Sequence, residues 1–169
     1  MTFTDILLML VVVQLLIILH ETGHVIAAKT LGLTVQKVGF SMKPYPHFFV
    51  SVVWPQNNRQ KSIYLFAGFA TYILLFSIAL SLKFFSTPFV YYAFFVQAAI
   101  ELNPFYSDFT IARVTSDLGY IKKNRHRPMG QVYKEMHQQY LFTARWYIHF
   151  VIWVGVLLLF SKIRFLVDA

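Results

Sequence analysis

Long apolar runs alternate with short polar segments along this chain and predict a helical membrane protein. Four runs fit helices that cross or enter a bilayer, at residues 6–28, 62–82, 89–102 and 142–160. A hydrocarbon core of about 30 Å needs about 20 apolar residues in one helix, which three of the runs supply or approach. The third run is short and ends at Asn103-Pro104, where proline stops a helix. We expect it to continue as a broken segment to about residue 119.

The loop between the first two runs has a different pattern. Segments 34–42 and 47–54 are rich in Val and Phe and flank Lys43-Pro44-Tyr45-Pro46, which is typical of a β-hairpin. The expected fold is thus a single all-α polytopic membrane domain over residues 1–169, with about four transmembrane helices and one small hairpin between helices one and two. Ala67-Gly68-Phe69-Ala70, in the second run, should let a neighbouring helix approach closely.

Composition agrees with a membrane setting. Hydrophobic residues make up 57 % of the chain and charged residues 13 %, against about 25 % charged residues in soluble domains. The absence of cysteine excludes disulfides and thiolate metal ligands, so a metal would need His and carboxylate ligands.

The net charge of +8 is distributed unevenly and predicts an orientation. Twelve of the fifteen Lys and Arg residues lie in or beside the two large loops, which we therefore place in the cytoplasm with both termini outside. Membrane topology accounts for this charge without nucleic acid. The three basic residues on the opposite side are Lys83, Lys162 and Arg164.

His20-Glu21-Thr22-Gly23-His24 is an HExxH motif near the end of the first apolar run. Residues four apart share one helix face, so His20 and His24 can bind one Zn²⁺ while Glu21 serves as a general base for water. Two buried structural histidines are the alternative, but ionisable groups within a membrane are usually functional. His20 lies about 21 Å along the helix from Ile6, which places it inside the bilayer nearer the cytoplasm.

A catalytic zinc usually has a third protein ligand, and the candidates are Asp108, Asp117 and Glu101. We favour Asp108 because it follows the Asn-Pro break, and unwound backbone at membrane depth must line protein or a cavity. Asp117 could instead cap a helix, and Glu101 could be a buried polar partner. We expect His137 and His126 to be solvated and His149 to hydrogen-bond a neighbouring helix.

The chain resembles the site-2 protease family of intramembrane zinc metalloproteases, and in particular a bacterial branch. The motifs are HExxH, Leu102-Asn103-Pro104-Phe105 followed by Asp108, and Ser116-Asp117-Leu118-Gly119, within residues 16–119. The resemblance implies His20, His24 and Asp108 as zinc ligands, Glu21 as catalytic acid/base, and Asn103 near the substrate backbone or oxyanion. Phe109 departs from the pattern, since a Gly usually follows the ligand Asp.

The resulting hypothesis is peptide-bond hydrolysis within or beside a bacterial cytoplasmic membrane. The substrate would be a transmembrane or membrane-associated peptide, selected by the membrane core or by a regulatory membrane partner. The hairpin could hold that peptide by strand addition, or it could anchor Tyr45 and Trp54 at the membrane interface. A catalytically inactive scaffold or binding protein is the alternative function, against which the retained Glu21 argues.

Overall fold

The computed structural model of this chain describes residues 1–42, 47–53, 55, 57–116, 121, 123 and 129–167. It is mainly helical, with one two-stranded antiparallel sheet. The helices are α1 (Phe3–Thr30), α2 (Asn58–Ser81), α3 (Pro88–Glu101), α4 (Asp108–Val114), α5 (Met129–Tyr140) and α6 (Ala144–Val167). The strands are β1 (Val35–Ser41) and β2 (His47–Val52).

The first helix begins and ends with local backbone signals. Thr2 and Asp5 form a capping box that satisfies free N–H groups in the first turn of α1. At the other end Gly32 adopts a left-handed φ of 66°, and Leu33 donates its backbone N–H to the carbonyl of Ala28. These signals give α1 a length of 28 residues, enough to cross a bilayer and carry the HExxH motif near its C-terminal end.

Helix α1 lies against both α2 and α3, and glycine permits the contact with α2. A Cβ atom built on Gly23 would overlap the Thr71 hydroxyl and lie 2.9 Å from the Ala67 carbonyl oxygen. One built on Gly68 would overlap the ring of His20. The predicted close approach at the small residues of the second run is therefore present. It brings α2 into direct contact with the HExxH motif of α1.

A cluster of buried aromatic and aliphatic side chains joins the membrane helices on the side away from the hairpin. Phe85, in the one-turn 3-10 helix Phe84–Ser86 between α2 and α3, is fully buried there. Tyr72 of α2 donates its hydroxyl to the Phe94 carbonyl of α3 at 3.1 Å, and Tyr91 of α3 donates to the Phe160 carbonyl of α6 at 3.0 Å. Each buried tyrosine thus pairs its polar end with the backbone of the neighbouring helix.

The predicted helix break and the predicted hairpin are both present. Helix α3 ends at Glu101, and α4 begins at Asp108 after a turn that contains Asn103 and Pro104. Strands β1 and β2 pair in antiparallel register from Val35↔Val52 to Ser41↔His47. The turn residues 43–46 and Trp54 lie outside the described residues, so the expected interface anchor is not tested.

Among the described residues, three helices are long and apolar enough to cross a membrane: α1, α2 and α6, the last over Ala144–Ile163. The first and second predicted runs correspond to α1 and α2, and the fourth corresponds to α6. The third run forms α3, whose 14 residues extend about 21 Å. A helix of that length does not cross a core of about 30 Å by itself, so four complete spans are not found in the described part of the chain.

The tight α1–α2 contact predicts a specific intolerance at Gly23. Gly23→Ala should lower the thermal unfolding midpoint of the detergent-purified protein, because the methyl group meets the Ala67 carbonyl; overpacking of this kind costs about 1–3 kcal/mol. Gly155→Ala is the matched control in α6, since a Cβ atom there has no neighbour within 4 Å. Equal midpoints for the two variants would contradict the close packing.

Candidate metal centre

Three predicted ligand side chains converge at one point between α1 and the start of α4. The Nε2 atoms of His20 and His24 are 3.0 Å apart, and Asp108 Oδ2 lies 3.3 Å from the first and 3.0 Å from the second. His24 is buried and the other two are half-buried. These residues form a group that could hold a metal ion.

The outer nitrogen of His24 indicates which atoms carry lone pairs. His24 Nδ1 lies 2.8 Å from the backbone carbonyl oxygen of Tyr64, which can only accept a hydrogen bond, so Nδ1 bears the proton. In a neutral imidazole Nε2 is then an acceptor, and it faces both His20 Nε2 and the Asp108 carboxylate. Acceptors that face one another in a buried site repel unless a cation or a proton lies between them.

The spacing of these acceptors fits a small divalent cation. Ligand atoms about 2.0–2.1 Å from a tetrahedral Zn²⁺ lie about 3.3–3.4 Å apart. Two of the observed separations, at 3.0 Å, are a few tenths of an ångström shorter than this zinc value, and the third, at 3.3 Å, agrees with it. Two imidazoles and one carboxylate are also the donor types of catalytic zinc sites, which leave a fourth position for water or substrate.

Local structure positions each of the three side chains. His20 and His24 lie one turn apart on α1, while Asp108 is the first residue of α4. Ser107 is the N-cap of α4, and its hydroxyl accepts a hydrogen bond from the Thr110 N–H at 3.3 Å. At the other end of α4, the buried Lys61 amine donates to the Thr115 carbonyl at 2.6 Å. Helix α2 therefore holds the short helix that presents Asp108.

A cavity of about 560 Å³ opens beside the three ligands. Glu21 lines it together with Val50 of β2. The hydroxyl of Tyr64 donates to the Val50 carbonyl at 3.0 Å. The hairpin is thus attached to the wall of the cavity at Val50. The remaining wall comes from α1, α3 and the turn before α4, including Gln14, Gln97, Glu101, Asn103 and Ser107.

Asn103 lines the same cavity, but its side chain shapes the turn. Its Oδ1 accepts the N–H groups of Phe105 and Tyr106 at 2.9 and 2.7 Å, and its Nδ2 donates to the Ile100 carbonyl at 2.6 Å. Both ends of the amide are therefore engaged within the protein. The role near substrate implied by the family resemblance stays a prediction, while the observed contacts give Asn103 a part in presenting Asp108.

Side chains of α5 and α6 satisfy backbone carbonyls that the broken helix leaves free. The three pairs are Trp153 Nε1 with the Ala99 carbonyl at 3.0 Å, His149 Nε2 with Leu102 at 3.0 Å, and His137 Nε2 with Phe105 at 2.8 Å. The predicted hydrogen bond of His149 is confirmed. The prediction of a solvated His137 is wrong, because α5 folds back over the turn; His126 lies outside the described residues.

Tyr133 stacks on His137 on the outer side of the turn, with ring centroids 5.7 Å apart. Burial, reinforced by the negative charge of Asp108, raises the pKa of the Tyr133 phenol to about 12. The phenol therefore remains protonated at neutral pH and adds no negative charge near the ligands.

The alternatives for the third ligand have different outcomes. Glu101 does not join the ligand group: its Oε1 contacts Nδ1 of His20, whereas the ligands meet at Nε2. Asp117 lies outside the described residues.

Comparison of the chain with models of protein families, with curated proteins and with solved structures finds no match. The resemblance to site-2 proteases therefore remains an expectation from the motifs.

Sequence reasoning missed two contributors to this site. Tyr64 provides the carbonyl that orients His24 and the hydroxyl that holds the hairpin. Lys61 is one of the basic residues that predict the topology, yet it is only 5 % exposed. Its amine donates to the Thr115 carbonyl at the end of α4. The available sequence signal was the position of Lys61, a long basic side chain at the start of an apolar run. That position does not identify its partner, Thr115, which lies 54 residues later.

The ligand set predicts the metal content of aspartate variants. Asp108→Asn should reduce stoichiometric zinc in the purified protein to near background, because it removes the anionic ligand and leaves two imidazoles. Asp117→Asn should retain the metal. Inductively coupled plasma mass spectrometry on both proteins tests this, and the reverse pattern would transfer the third ligand to Asp117.

Proposed function

We propose that this protein is an intramembrane zinc metalloprotease of the site-2 protease type, acting on membrane-embedded or membrane-associated peptides. The observation that carries the proposal is the convergence of His20, His24 and Asp108 beside a cavity lined by Glu21. That arrangement combines an open metal site with a carboxylate base, which a purely structural metal site does not need.

In this proposal His20, His24 and Asp108 hold Zn²⁺, which supplies Lewis acidity toward a carbonyl and a water of lowered pKa. Glu21 is the proton carrier: its carboxylate takes a proton from the attacking water and delivers it to the leaving amine. Val50 of β2 lines the cavity together with Glu21. Asn103 keeps the turn in the shape that presents Asp108, with substrate contact as its further proposed role.

The substrate is proposed to bind as an extended peptide along the cavity. Residues 48–52 of β2 line it continuously, so a peptide beside this strand would pass the ligand group. Strand addition would expose the scissile amide, which a helical substrate hides in its own hydrogen bonds. A transmembrane substrate must therefore unwind locally.

The proposed setting is a bacterial cytoplasmic membrane, with the active site toward the cytoplasm. Helices α1, α2 and α6 would span the bilayer, and α3 with its broken continuation would make the fourth crossing. This arrangement places the basic loops on one side, as the positive-inside rule requires. Water would reach the site from the hairpin side.

The role of Glu21 gives the central test. Glu21→Gln should retain zinc, since Glu21 is not in the ligand group, and should cleave a membrane-peptide substrate about 10²–10⁴-fold more slowly, because the amide cannot carry the proton. Zinc content and cleavage of a panel of fluorescent transmembrane peptides are measured together on wild type and variant. A wild type that binds zinc but cleaves no better than Glu21→Gln would favour the inactive scaffold.

The proposed orientation is tested by single-cysteine labelling, because the native chain contains no cysteine. Val38→Cys lies on the hairpin at a position that is 59 % exposed, and Ser86→Cys lies in the exposed turn before α3. In intact cells an impermeant maleimide should label Ser86→Cys and spare Val38→Cys until the membrane is opened. The opposite pattern would invert the topology.

A further inference from the structure

We propose that Glu101, held by Gln97, is a positioning residue that fixes the orientation of His20 as a metal ligand. This inference rests on the proposed metal site and assigns a residue outside its ligand group. Glu101 Oε1 lies 2.6 Å from His20 Nδ1, on the side of the ring away from the three converging ligand atoms.

Glu101 is embedded in protein. Its side chain is 1 % exposed, and the Gln97 amide one turn earlier on α3 donates to Glu101 Oε1 at 2.7 Å. Gln97 is itself 2 % exposed. A carboxylate is costly to bury without partners, so the contact with the His20 ring offsets part of the cost of burying Glu101.

The acceptor at Nδ1 decides which nitrogen of His20 is available to a metal. A carboxylate can only accept a hydrogen bond, so it favours the proton on Nδ1, and in the neutral ring the lone pair is then at Nε2, which faces His24 and Asp108. His24 has the same arrangement, with the Tyr64 carbonyl as its acceptor. Each imidazole thus has an acceptor beside its Nδ1 atom, a backbone carbonyl for His24 and a carboxylate for His20.

The His20 ring is also restrained from its face. It lies against Gly68 so closely that any side chain there would overlap the ring. The line from Nδ1 to Glu101 Oε1 departs from the direction of the ring N–H, so the contact lacks the alignment of a full hydrogen bond.

The test measures zinc affinity instead of activity. Detergent-purified protein is stripped with a chelator and titrated with zinc in competition with a fluorescent zinc indicator. Glu101→Ala should raise the zinc Kd about 10–100-fold, the range found when such acceptors are removed. Glu101→Gln keeps the shape and an acceptor oxygen, so its increase should be smaller, and it also serves if the alanine variant does not fold.

Asp5→Asn is the matched control. It makes the same kind of acid-to-amide change at the exposed start of α1 and weakens the capping box, so it should lower stability and leave the zinc Kd unchanged. The absorption spectrum of the Co²⁺-loaded protein is recorded in parallel. Glu101→Ala should alter the spectrum, since His20 is no longer fixed, whereas a purely structural role would leave it unchanged.

The outcomes separate the two proposals. If wild type binds zinc, Asp108→Asn does not, and Glu101→Ala binds within twofold of wild type with an unchanged cobalt spectrum, the role of Glu101 is overturned and the metal site stands. If wild type binds no zinc, both are overturned. A weakened Kd for Glu101→Ala with an unchanged Kd for Asp5→Asn supports the inference.

Discussion

Three hydrogen-bond acceptors that meet in a buried site are the constraint on which this structure depends. Two imidazole nitrogens and one carboxylate oxygen would repel one another in apolar surroundings without a cation. The surrounding elements hold them together nonetheless: α1 supplies the histidines, and α4 supplies Asp108. The Tyr64 carbonyl behind the His24 ring directs its lone pair inward, and Glu101 has the corresponding position behind His20. The fold therefore brings together a group that could hold a metal ion.

The broken helix that carries Asp108 requires a second set of interactions. Ending α3 at Glu101 frees backbone carbonyls, which lipid could not satisfy. Trp153, His149 and His137 supply donors from α5 and α6, and Lys61 supplies one at the far end of α4. The C-terminal helices thus stabilise the segment that presents Asp108 without entering the ligand group.

The close contact between α1 and α2 links the three converging side chains to the hairpin. Glycine at positions 23 and 68 brings α2 against α1, so that the Tyr64 carbonyl reaches His24 and the face of His20 is covered. The Tyr64 hydroxyl then holds β2 at Val50, beside Glu21. The group that could hold a metal ion, the Glu21 side chain and the strand edge are therefore brought together by one tight helix contact.

The sequence by itself determined the features that depend on residues close together along the chain. Helical spacing pairs His20 with His24, the Asn-Pro dipeptide stops α3, the Val- and Phe-rich segments pair as a hairpin, and apolar length identifies three membrane helices. Only the tertiary structure decided the partners. Asp108 lies 84 residues from His24, and Glu101 and Asp108 face different nitrogens of His20, while only Asp108 also contacts His24. Local pattern cannot encode that difference, because it arises from how α1, α3 and α4 pack.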